Sequence, residues 1–85
     1  MTMGPEVASL VEGWSDAELD VWELFERDAH GRTGLYPGQL MAELAAGRPG
    51  VLPKIKQALA RGLASDDPKE QAAALAGLAA LPRAS

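Results

Sequence analysis

The chain has 85 residues, no cysteine, and 12 acidic against 8 basic side chains, giving a formal net charge of −4. A chain of this length forms one domain with a small core, and the lack of thiols excludes disulfides, thiolate metal sites and cysteine nucleophiles. No stretch reaches the roughly 18 apolar residues of a membrane span, and the first residues lack the basic start and apolar run of a secretory signal. We therefore expect one cytoplasmic domain over residues 1–85.

Helix-start and helix-stop residues predict five short helices and no strand. The first begins at Pro5 and ends near Gly13. Ser15 and Glu18 have the spacing of a capping box, in which each side chain bonds the backbone N–H of the other, so the longest helix is expected to start there and end at His30.

The remaining helices are separated by turns rich in glycine and proline. The third is predicted over residues 37–46, the fourth over 51–63 and the fifth over 68–81, before Pro82. The predicted fold class is therefore all-α, a small compact bundle of four to five short helices with a helix-turn-helix-like centre at about 37–63. The apolar residues at helical spacing that are expected to face the core are Val7, Leu10, Val11, Ala17, Leu19, Val21, Trp22, Leu24, Phe25, Leu40, Met41, Leu44, Val51, Ile55, Ala58, Leu59 and Leu63.

The charges are unevenly distributed along the chain. Residues 1–26 carry seven carboxylates and no Lys or Arg, whereas residues 27–63 carry six basic side chains and two acidic ones. Charge asymmetry of this kind indicates a polyanion or an acidic partner. The basic middle is therefore a candidate binding surface.

Two short helices joined by a Gly-containing turn, with basic residues around the second, follow the plan of a DNA-binding helix-turn-helix. The chain has an amphipathic helix, a Pro-initiated helix, an Arg-Pro turn followed by a Val-led helix, and an Arg-Gly-Leu ending. These features are the segments 18–21, 37–44, 48–51 and 61–63. Through them, residues 16–64 resemble the core of a MarR-type helix-turn-helix regulator. The chain departs from that family after Leu63, where a two-stranded wing would follow and a helix is predicted instead.

The resemblance implies that the helix at about 51–63 is a recognition helix and that the protein binds double-stranded DNA as a transcription regulator. Most of the contacts would be to phosphates, and Gln57 would read a base edge. The predicted DNA-binding residues are Arg48, Lys54, Lys56, Gln57, Arg61 and Arg32.

The alternative is a helical protein-protein interaction module, an adaptor or inhibitor, that does not bind DNA. Residues 72–81 contain no polar side chain. The helix at 68–81 is therefore either a possible interaction helix that packs against a partner or forms a homodimer, or an alanine-rich helix whose small side chains are exposed at little cost. An acidic row of Asp16, Asp20 and Glu23, with Glu12 one turn out of line, is either a docking surface for a basic partner or a solvated face, which is the commoner role of such rows. The predicted protein-interface residues are Leu52, Pro53, Leu75, Leu78 and Leu81.

Residues that carry catalysis or hold metal ions are scarce. The chain has one histidine and no cysteine. His30 lies two residues after Asp28, but no second histidine or thiolate completes a metal site beside it. We therefore expect no enzymatic activity, no metal site and no cofactor.

Overall fold

The computed structural model describes residues 3–81. Within them the chain forms helices and no strand, so the all-α prediction is confirmed. None of these helices is long and apolar enough to cross a bilayer. The elements in chain order are α1 (Pro5–Val11), α2 (Val21–Ala29), α3 (Gln39–Gly47), a 3₁₀ turn (Pro49–Val51), α4 (Leu52–Leu63) and α5 (Pro68–Ala80).

Helices α4 and α5 form a hairpin, and α2 and α3 pack against it. The linker between α4 and α5 ends at Asp67. The Asp67 carboxylate accepts a hydrogen bond from the Lys69 N–H at 2.9 Å and so caps α5. Most of the predicted core is confirmed, but Ala17 is exposed and Leu63 is 40% exposed. The largest fully buried side chains are Phe25, Leu40, Met41, Leu44, Ile55, Leu59, Val7, Val11 and Val51.

Helix α2 starts later than the sequence predicts. The capping box forms, with the Glu18 N–H donating to Ser15 Oγ at 3.3 Å, but it supports only a single turn over residues 16–18. Leu19 then enters the core, and the Asp20 carboxylate caps α2 by accepting from the Glu23 N–H at 3.1 Å. Because burial of Leu19 interrupts the helix, α2 has 9 residues and α5, with 13, is the longest among residues 3–81.

The start of α3 lies against α5. Gly38, the residue before α3, has a left-handed φ of +86°, and a Cβ atom at this position would lie 2.6 Å from the carbonyl oxygen of Ala76. Only glycine combines this backbone conformation with so close an approach. Pro37 therefore lies in a turn before α3. The sequence had suggested instead that Pro37 is the first residue of this helix.

Candidate interaction surfaces

The acidic segment between α1 and α2, residues 12–20, packs against the residues that lead into α4. The Arg48 guanidinium donates to the carbonyl oxygen of Val11 at 3.1 Å and to that of Trp14. It also lies 3.2 Å from the Asp16 carboxylate. Arg48 thus joins the end of α1 to the turn before α4.

Lys54, in the first turn of α4, binds the same segment. Its ammonium group donates to the carbonyl oxygens of Asp16 at 2.6 Å, Ala17 at 3.0 Å and Leu19 at 3.2 Å. Carbonyl groups at the end of a helical turn have no partner within the helix and attract cations. Lys54 therefore stabilises the single turn that the capping box begins.

Two of the predicted DNA-binding residues, Arg48 and Lys54, do not share a solvent-facing patch with Lys56. The charged groups of Arg48 and Lys54 are turned toward the N-terminal segment, and of these three residues Lys56 alone is exposed. The physical reason is that backbone carbonyl oxygens between residues 11 and 19 lie within reach of both cations.

The other predicted DNA-binding residues lie on two separate parts of the surface. Gln57 and Arg61, one turn apart on α4, line a groove beside the start of α2, and the Arg61 guanidinium lies 4.1 Å from the centre of the Trp22 ring. Arg32 is exposed in the loop after α2 and lines a different groove, together with Glu23 and Glu26. The exposed basic residues of α4 therefore stand apart from Arg32.

The predicted protein-interface residues also fall into two groups, one exposed and one partly buried. Leu75 and Leu78 are 61% and 44% exposed on α5, and Pro53 is exposed at the start of α4. Leu52 and Leu81, by contrast, are partly buried and pack against the core. The inward side of α5 consists mainly of Ala73, Ala74 and Gly77, so its leucines at 75 and 78 are left facing outward.

A buried carboxylate lies between α2 and α3. Asp28 is 4% exposed, and one of its oxygens accepts from the Gly38 N–H at 3.3 Å. The other oxygen, Oδ1, has no hydrogen-bond partner among the described residues. Burial raises the pKa of the Asp28 carboxyl, against the smaller opposing effects of the Gly38 N–H and the nearby Thr33 hydroxyl.

A mixed cluster of a histidine and two carboxylates joins α2 to α5. His30 Nε2 lies 3.4 Å from Glu70 Oε2 and 3.6 Å from Asp67 Oδ2. This cluster was not predicted from the sequence, where His30 was considered only with its neighbour Asp28. His30 and Glu70 are forty positions apart, and only the packing of the helices brings them together.

Comparison of the chain with protein-family models, with curated proteins and with solved structures gives no match. The resemblance of residues 16–64 to MarR-type regulators therefore stays a prediction.

Proposed function

We propose that this protein is a non-enzymatic interaction module that binds protein through the exposed face of α5, and that its partner there is a second copy of the chain. The observation that carries the proposal is the exposure of Leu75 and Leu78, at 61% and 44%, on a helix without polar side chains from residue 72 onward. A surface helix normally presents charged or polar groups to water. An apolar face in that position favours a protein contact.

The chemistry of this face suits self-association. Residues 72–81 carry no charged side chain, so a contact between two copies limited to this stretch carries no desolvation penalty for ions. Alanines at 72, 76 and 79 surround the two leucines and let helix backbones approach closely. A two-fold contact of this kind uses the same patch on both molecules.

The expected dimer is weak. A helix of 13 residues is about 20 Å long, and a contact limited to it is smaller than the roughly 1,200 Å² of a stable interface. Association is therefore expected in the micromolar range or weaker, about −8 kcal/mol or less favourable.

Sedimentation velocity over about a hundredfold range of concentration tests this proposal, since the range spans a weak dimer's dissociation constant. The wild type should become dimeric as concentration rises, and Leu75→Glu and Leu78→Glu should stay monomeric. Ala60→Glu, which adds the same charge at an exposed position of α4, should behave as the wild type. Circular dichroism checks that all variants fold. A wild type that is monomeric throughout contradicts the second copy as partner, and dimers that survive both leucine changes contradict the α5 face.

DNA binding by α4 is the second candidate. It is favoured by the exposure of Lys56, Gln57 and Arg61 on α4, which the resemblance to MarR-type regulators implies to be a recognition helix. It is disfavoured because Arg48 and Lys54 already bind carbonyl oxygens, and because the acidic segment at 12–20 lies beside the start of α4, where it would repel phosphates.

Duplex binding at two salt concentrations distinguishes the two functions. Two or three phosphate contacts predict that affinity falls about tenfold or more for a fourfold rise in salt. Lys56→Ala with Arg61→Ala should weaken such binding, while Lys69→Ala, at an exposed position of α5, should not. No duplex binding at low salt, or equal effects of all three changes, contradicts DNA recognition by α4.

A further inference from the structure

The C-terminal end of α2 and the first turn of α5 meet at His30, Asp67 and Glu70. One ligand atom from each residue, an imidazole nitrogen or a carboxylate oxygen, lies within 4.8 Å of the other two. We propose that these three side chains bind a divalent transition-metal ion, Zn²⁺. This proposal is independent of the α5 contact surface proposed above.

The spacing suits a shared ion better than direct hydrogen bonds. His30 Nε2 lies 3.4 Å from Glu70 Oε2 and 3.6 Å from Asp67 Oδ2. A good N–H···O hydrogen bond spans about 2.7–3.2 Å. In tetrahedral coordination, ligands about 2.0–2.2 Å from zinc are about 3.3–3.6 Å from one another. The two distances therefore match the edges of a zinc coordination shell.

Each carboxylate is held by its other oxygen. Ser65 Oγ donates to Glu70 Oε1 at 2.7 Å, and the Lys69 N–H donates to Asp67 Oδ1 at 2.9 Å. These bonds leave Oε2 and Oδ2 directed at His30. Hydrogen bonds that orient the ligands in this way are a regular part of metal sites.

The charge of the cluster also calls for a cation. Two carboxyl groups meet in the cluster, and Glu70 is only 9% exposed. Placing a buried carboxylate beside a second one is costly unless a positive charge compensates it. A divalent ion supplies that charge.

The ligand types select zinc over calcium and magnesium. Calcium and magnesium take oxygen ligands in shells of six or more, whereas an imidazole with two carboxylates is a set that suits zinc. Three protein ligands leave the fourth position of a tetrahedral ion for water.

Isothermal titration of the tag-free full chain with Zn²⁺ tests the site, because a polyhistidine tag would itself bind the metal. One ion should bind per chain. His30→Gln, and separately Glu70→Gln, should weaken binding by at least about tenfold, since even indirect ligand partners contribute that much. Asp66→Asn, which removes the same charge from an exposed neighbour outside the cluster, should leave the affinity unchanged.

Cobalt provides a second readout that a purely structural role would not change. Bound Co²⁺ should give the strong visible absorption of a four- or five-coordinate ion, and His30→Gln should abolish it while circular dichroism shows intact helices. Absence of one-to-one Zn²⁺ binding by the wild type would overturn the proposal. So would equal affinity in His30→Gln, a loss in Asp66→Asn as large as that in Glu70→Gln, or a weak six-coordinate cobalt spectrum.

Discussion

Lys54 Nζ lies 2.6 Å from the carbonyl oxygen of Asp16, so a cation of the helix-turn-helix-like centre binds the most acidic part of the chain. The contact is to the backbone, and the same ammonium group reaches two further carbonyl oxygens. Charge along the sequence suggested attraction to an external polyanion. In the folded protein, part of that positive charge is used internally to hold residues 12–20 in place.

Lys54→Met should therefore destabilise the protein. The change leaves carbonyl oxygens of the 16–18 turn without their charged donor, and hydrogen bonds to charged groups contribute about 1.5–3 kcal/mol each at most, less where water replaces them. We expect a loss of about 1–2 kcal/mol in urea-induced unfolding. Lys56→Met, an exposed lysine on the same helix, should change stability by no more than about 0.5 kcal/mol. Equal effects of the two changes would contradict the role given to Lys54.

Asp20→Ala should cost about 1 kcal/mol, because the Asp20 carboxylate caps α2 through the Glu23 N–H. Ser15→Ala should cost clearly less, since Ser15 supports only one exposed turn. Thermal unfolding of both variants measures the difference. A larger loss of stability in Ser15→Ala than in Asp20→Ala would support the helix start at Ser15 that the sequence predicts.

Gly38→Ala should be strongly destabilising. An alanine in the left-handed region costs about 1–2 kcal/mol, and its Cβ would also lie 2.6 Å from the Ala76 carbonyl oxygen. Gly34→Ala is the matched control, because Gly34 has a φ of +72° and open space around the new Cβ. The stability that Gly38→Ala loses beyond the loss in Gly34→Ala measures how closely the start of α3 packs on α5. Equal losses would mean that this close contact does not form.

Asp28→Asn should stabilise the protein at pH 7. Burial raises the pKa of the Asp28 carboxyl, so the folded state binds the proton more tightly than the unfolded state does. The stability gained from this tighter proton binding is therefore fully present below about pH 4, the pKa of the carboxyl in the unfolded chain. It is lost as the pH rises through the higher pKa of Asp28 in the folded protein. Asparagine keeps the acceptor for the Gly38 N–H and carries no charge.

Melting temperatures between pH 4 and pH 7, about the range from the unfolded carboxyl pKa to neutrality, test this linkage. The advantage of Asp28→Asn over the wild type should shrink toward the acidic end. Glu12→Gln removes the same charge from an exposed residue and should show no such trend. An advantage that is constant with pH would contradict a raised pKa.

Much of the fold was predictable because it depends on neighbours in the chain. Prolines and capping side chains start α1, α4 and α5 within one or two residues of the predicted positions, and the apolar faces of α3 and α4 are buried as expected except at Leu63. The start of α2 was not predictable in this way. Ser15 and Asp20 are both competent caps, and the choice depends on whether Leu19 reaches the core.

The sequence by itself determined the helical class, the punctuation of the helices and most of the core, since these follow from local hydrogen bonding and from apolar spacing. Only the tertiary structure decided which distant groups three of the charged or titratable side chains contact. Arg48 and Lys54 meet carbonyl oxygens more than thirty residues away, and His30 meets Asp67 and Glu70 because α2 and α5 pack together. Among residues 3–81, the side chains of Arg48, Lys54 and His30 bind no partner within their own helix, and the packing of the helices sets which groups come within their reach.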